Sequence, residues 1–100
     1  MTALVFLVLS LDTALLASAG VKFSFTAPNA KKIKVYGSFN GWSKGYVLVK
    51  AGSGIWEQSV ELQRGRYEYK YLVDGKWQHD ARLPTINDGL LGKNNVVIVR

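Results

Sequence analysis

The residue pattern predicts an all-β sandwich of the immunoglobulin-like kind, preceded by an apolar amino-terminal segment. Three observations carry that expectation. Apolar residues after Gly20 recur with a period of two. Turn-forming residues separate the apolar runs, and no helical pattern longer than two turns occurs after Gly20. Short strands at such spacing bury one face each, and about seven of them make a two-layer sandwich.

Phe23 and Phe25 alternate with Lys22, Ser24 and Thr26, which predicts a first strand with its phenylalanines inward. Ile33 and Val35 alternate with Lys32, Lys34 and Tyr36 in the same way. Tyr46–Val49, Ile55–Leu62, Arg66–Val73 and Val96–Val99 are further runs rich in β-branched and aromatic residues. Between the runs stand Ala27-Pro28-Asn29, Asn40-Gly41, Gly52-Ser53-Gly54, Arg64-Gly65, Asp74-Gly75 and Asn87-Asp88-Gly89. Asp74-Gly75 separates Tyr71-Leu72-Val73 from Lys76-Trp77. A two-residue type I′ turn needs positive φ at both central positions, which Asp-Gly supplies, so Trp77 begins a returning strand. In that hairpin Tyr67, Tyr69, Tyr71 and Val73 share the core-facing side, and Glu68, Lys70 and Leu72 share the other. Trp56, in the middle of its run, is expected in the core.

The 100 residues suffice for one domain, and with 48% hydrophobic against 20% charged residues the chain is not a disordered tail. A net charge of +6 raises nucleic acid, anionic membrane or an acidic partner as candidates. The charges form no block. The densest run, Lys31-Lys32-Ile33-Lys34, reads as a solvated strand edge that blocks edge-to-edge pairing, so a nucleic-acid partner is not expected. With no cysteine, disulfides, Cys-ligated zinc and thiol chemistry are excluded, and the hydrophobic core alone must hold the fold.

Met1–Gly20 is almost unbroken apolar sequence ending in Ala17-Ser18-Ala19, a small-residue pattern that fits a signal peptide cleaved before Gly20. An uncleaved membrane anchor and a helix of the folded unit are the other readings, since Asp12 interrupts the segment and no basic side chain precedes it. The domain division is therefore 1–20 for this segment and 21–100 for the sandwich. A signal peptide implies export, periplasmic or extracellular; otherwise the protein is expected in the cytoplasm, with a membrane contact only through an uncleaved anchor.

Trp42 follows the Asn40-Gly41 turn, and Trp77 lies just beyond Asp74-Gly75. Either ring could be core. A tryptophan on a loop, however, forgoes a few kcal/mol of burial, about 25 cal/mol per Å². Its flat apolar face suits the C–H face of a pyranose, whose hydroxyls then need donors and acceptors at the rim. Lys70, Asn94 and Asn95 are polar groups able to supply them. His79 and Asp80 are adjacent but lack ligand spacing, and Asp74 and Asp88 fall in turn signals that account for them. No pair of carboxylates is placed for glycoside hydrolysis, and no catalytic triad, phosphate loop, metal cluster or cofactor motif occurs. No enzyme activity, cofactor or metal is expected.

Val35-Tyr36-Gly37-Ser38-Phe39-Asn40-Gly41-Trp42, then Gly54-Ile55-Trp56-Glu57, then Gly65 through Trp77, then Asp88-Gly89 and Asn94-Asn95-Val96-Val97 occur in this order. Together they resemble the family 48 carbohydrate-binding modules. These include the glycogen-binding domain of the AMP-activated protein kinase β-subunit and the amino-terminal domains of isoamylase-type enzymes. The resemblance implies an early-set immunoglobulin-like sandwich over Val21–Arg100 that binds α-1,4-linked glucan such as glycogen or maltooligosaccharides. It implies stacking on Trp42 and Trp77 and hydrogen bonds from Lys70 and Asn94. It also implies an apolar contact from Leu90, or from Leu91 if a gap is allowed. A threonine of the kinase-type domains corresponds to Gly92, and the usual Asp-Pro after the second tryptophan is Asp80-Ala81. A glucan-active enzyme or a kinase subunit would be the protein partner. The alternative is a protein-interaction or spacer module of the same fold that binds no sugar.

Overall fold

The structure, a computed structural model, describes residues 18–100. The expected signal or anchor segment therefore lies outside the described residues up to position 17. Nine strands follow: β1 Ser18–Thr26, β2 Ile33–Gly37, β3 Tyr46–Val47, β4 Val49–Lys50, β5 Ile55–Gln63, β6 Gly65–Val73, β7 Lys76–Gln78, β8 Thr85–Asn87 and β9 Lys93–Val99. A single 3₁₀ turn, Ser38–Asn40, follows β2. The first strand takes in Ser18 and Ala19, which pair with Gln63 and Leu62, so it begins before the expected boundary at residue 20.

The strands form two antiparallel sheets. The smaller has the order β1-β5-β4, and the larger β3-β2-β6-β9-β8, with β7 also pairing β6. Alternation sends Phe23 and Phe25 of β1 and Trp56, Val60 and Leu62 of β5 into the space between them. The larger sheet answers with Ile33, Val35, Tyr69, Tyr71 and Val73. Phe25 packs on Tyr71 at 4.7 Å between ring centroids, and Phe23 meets Tyr69 edge-on at 4.9 Å. The Tyr71 hydroxyl donates to the Ser24 carbonyl at 3.1 Å, joining the two sheets. Burial raises the pKa of Tyr69 to about 12, so its phenol stays neutral at ordinary pH. Trp56 is interior as expected, its Nε1 donating to the Ala27 carbonyl at 2.9 Å.

Three expectations change. The run Tyr46–Val49 is not one strand: it splits at buried Leu48, with β3 joining the larger sheet and β4 the smaller. The lysine run does not lie on a sheet edge. β2 sits between β6 and the two-residue β3, and the Lys31 and Lys32 amides are bound by the Asp74 carboxylate. Asn95 is fully buried rather than offered at the surface. Its Oδ1 accepts from the Asp80 amide at 2.7 Å, and its Nδ2 donates to the Asp80 carbonyl at 2.8 Å.

The pairing of β6 positions everything that follows. On one flank it pairs β2 through residues 69–73. On the other, residues 65–69 pair β9 and residues 71–73 pair β7. Lys70 is thus the residue at which one neighbour stops and the next begins. Tyr36, directly opposite Lys70 in β2, and Trp77, opposite Leu72 in β7, share its outward face.

Candidate functional site

Trp42 is placed by the backbone of Gly37–Trp42. The Gly41 amide donates to the Ser38 carbonyl at 3.2 Å, and the Trp42 amide donates to the Gly37 carbonyl at 2.9 Å. These nested bonds close the 3₁₀ turn as a Schellman motif closes a helix. The motif needs a left-handed residue after the turn, which Gly41 supplies at φ 68°, and Trp42 itself is left-handed at φ 63°. A Cβ at Gly37 would collide with the Phe39 ring, so glycine there lets Phe39 fold inward. The Ser38 hydroxyl accepts from the Glu68 amide at 3.0 Å and fastens the loop to β6. The indole is held outward, 38% exposed.

Trp77 arrives by the type I′ turn. Asp74 and Gly75 have φ of 48° and 83°, the torsions that turn type demands. The Trp77 ring stands edge-on against Tyr36 at 5.1 Å and keeps 54% of its surface in solvent. A neighbouring ring on one side restrains its orientation without covering it.

Both indoles line one groove of about 530 Å³, together with Glu68, Lys70, Asp88, Leu90 and Asn94. The residues that the resemblance implied for sugar contact, Trp42, Lys70, Trp77, Leu90 and Asn94, are therefore gathered in one place from three strands and two loops. Leu90 is 84% exposed at the groove wall, whereas Leu91, at φ 72°, lines the neighbouring hollow instead. Asn94 is nearly buried, and its Nδ2 donates to Glu68 Oε1 at 3.1 Å. Among the described residues its Oδ1 has no partner, which leaves an acceptor at the groove.

Glu68 and Asp88 were not anticipated here, and Asp88 corrects the expectation that its turn explains it. Lys70 Nζ donates to Asp88 Oδ2 at 2.8 Å, and both side chains are mostly shielded. Asp88 Oδ1 accepts from the Leu90 and Gly92 amides at 2.6 and 3.0 Å. The Lys70 hydrogen bond first, then these backbone amides, lower the carboxyl pKa to about 2. One carboxylate thus orients the lysine and shapes the loop that presents Leu90. The available signal was Asp two and four residues before Leu90 and Gly92, the spacing of a side chain that hydrogen-bonds its own loop. Gly92 stands where the resemblance puts a threonine, and with Asp88 in its present position a Cβ there would collide with Asp88 Oδ2.

The surface so formed has two apolar faces, an apolar prong, and a floor of hydrogen-bonding groups with its charges paired. It suits a neutral polyhydroxylated ligand with apolar faces.

The family profile described as the glycogen recognition site of AMP-activated protein kinase matches residues 20–100. Among curated relatives, Protein PTST, chloroplastic, of Arabidopsis thaliana is 41% identical over 73 residues, covering 70% of this chain and 26% of that protein. Phosphoglucan phosphatase LSF1, chloroplastic, of the same plant is 31% identical over 80 residues, covering 79% and 14%. The 5′-AMP-activated protein kinase subunit beta-1 of Sus scrofa is 34% identical over 70 residues, covering 70% and 56%. The chain thus spans between 14% and 56% of the length of these relatives. Among solved structures, pullulanase from Bacillus acidopullulyticus shares the fold, with a TM-score of 0.61 and 20% identity over 84% of this chain and 12% of that one. By its sequence, over nearly all the residues that make the sandwich and the groove, this chain belongs to the family of glycogen recognition domains of AMP-activated protein kinase.

Proposed function

We propose that this protein is a non-catalytic module that binds α-1,4-linked glucan in the groove between Trp42 and Trp77. The observation that carries the reading is that two solvent-facing indoles, set by unrelated turns, line a single groove whose polar residues are hydrogen-bonded and oriented. Consecutive glucose units stack on the two rings. Lys70 and the Asn94 Oδ1 meet ring hydroxyls, and Leu90 packs on the apolar side of the chain. Each hydroxyl bond replaces one to water, so affinity for a short oligosaccharide is modest. A polymer with many sites raises apparent binding through effective concentration.

Hydrolysis finds no support in the groove. Glycosidases need a carboxyl group protonated at working pH opposite a second carboxylate. Asp88 is held ionised by Lys70, and Glu68 is engaged by Asn94 and by Arg66 at 3.3 Å.

A native gel cast with and without glycogen tests the reading. The wild-type chain is expected to be retarded, and Trp42→Ala and Trp77→Ala each to run unretarded with unchanged thermal unfolding. Retention equal to wild type in both variants overturns the groove. No retardation of the wild type leaves the spacer or protein-interaction reading.

A further inference from the structure

The geometry points to a second subsite beside the first, one that takes a phosphate monoester carried on the bound glucan. It lies in the notch that β6 creates by pairing β9 and β7 end to end on one flank. That notch is a hollow of about 420 Å³ lined by Lys70, Trp77, Gln78, His79 and Lys93, with Gly92 and the exposed Leu91 completing its wall. Trp77 and Lys70 also line the glucan groove, so the two cavities share a wall. A group projecting from a sugar stacked on Trp77 reaches the hollow without leaving the platform.

Its chemistry differs from that of the groove. No carboxylate lines it. The nearest acid, Asp88, is already committed to Lys70 and to two backbone amides. Lys93 is exposed and makes no ion pair among the described residues. The His79 imidazole and the Gln78 amide line the same hollow and add hydrogen-bonding capacity. A neutral sugar gains little from an ammonium group that must shed water to meet it. An anionic oxygen gains a charge-assisted hydrogen bond. Gly92 adds no side chain to the wall of the hollow, and a Cβ there would lie 3.5 Å from Lys70 Nζ. The hollow is thus matched to a small anion attached to the ligand next door, and it rests on the glucan reading above.

The test uses phosphate-bearing amylopectin and the same polymer after phosphatase treatment, in native affinity gels with the intact chain. The wild-type chain is expected to be held roughly fivefold more tightly by the phosphate-bearing form, the gain of one partly exposed charge-assisted bond. The variant Lys93→Gln with His79→Gln is expected to bind both forms alike, at the wild-type strength for the treated polymer. Lys22→Gln, an equal charge loss on the other sheet, keeps the preference. Glucose 6-phosphate as competitor erases the preference at concentrations where inorganic phosphate does not.

The inference is overturned if the wild type holds both polymers equally. It is also overturned if the Lys93/His79 variant retains the preference, or if Lys22→Gln loses it to the same degree. Equal competition by inorganic phosphate overturns the assignment to a sugar-borne ester. Failure of the underlying glucan reading shows separately, as absence of retardation by the phosphatase-treated polymer.

Discussion

Asp88 bonds Lys70 with one oxygen and the loop amides of Leu90 and Gly92 with the other. Its pKa of about 2 lies below the ordinary 3.8. A depressed carboxyl pKa contributes stability that is complete above the unfolded value and is lost as pH falls through the folded one. Glucan retention and the Leu90 and Gly92 amide shifts are therefore expected to hold steady down to about pH 3 and to change with a midpoint near pH 2. Carboxyl-carbon NMR of Asp88 checks this, and a midpoint near 4 would refute the pairing. Asp88→Asn keeps an acceptor for the loop amides but loses the ion pair with Lys70. Its affinity for maltoheptaose, read by calorimetry, is expected to fall about three- to tenfold. The loop bonds had a local signal in the spacing of Asp88 to Leu90 and Gly92, but the ion pair had none: Asp88 sits in an Asn-Asp-Gly string that reads as a turn, and nothing local says that a lysine 18 positions away closes on it.

The β6–β7 hairpin is the element whose sequence and structure agree most fully. Asp74-Gly75 requires left-handed torsions and adopts them. Asp74 does more than turn the chain, because its carboxylate binds the Lys31 amide at 2.9 Å and the Lys32 amide at 2.9 Å. Asp74→Ala removes both bonds and places alanine at positive φ, so a loss of about 2 kcal/mol in urea unfolding is expected. Asp74→Asn, which tolerates that φ and keeps an acceptor, is expected to lose less than half as much. Three other elements were missed or merged by the period-two reading. β8 is only Thr85–Asn87, with a single apolar residue, and becomes a strand because β9 pairs with it. β3 and β4 read as one run because the residue that parts them, Leu48, is itself apolar.

Across the whole molecule, Leu48 marks where the chain crosses from the larger sheet to the smaller, and it is 1% exposed between them. Its amide donates to the Ile33 carbonyl at 2.9 Å, which fixes the crossing to β2. Leu48→Ala is expected to lower unfolding free energy by about 2–4 kcal/mol through a cavity shared by both layers. Calorimetric unfolding measures this, and a loss under 1 kcal/mol would show that the crossing does not hold the sheets together. The faces of the strands, the tyrosine row Tyr69 and Tyr71 inward and Lys70 outward, and the hairpin before Trp77 were readable from residue order. Side-chain alternation and turn torsions are properties of neighbouring residues. The meeting of Trp42, Trp77 and Leu90 in one groove was not readable from the residues alone, and only the family resemblance anticipated it. Nor were the Glu68–Asn94 bond and the notch at Lys70. They depend on which strands lie beside β6 and where each stops, and that is set by hydrogen bonds and packing between segments far apart in the chain.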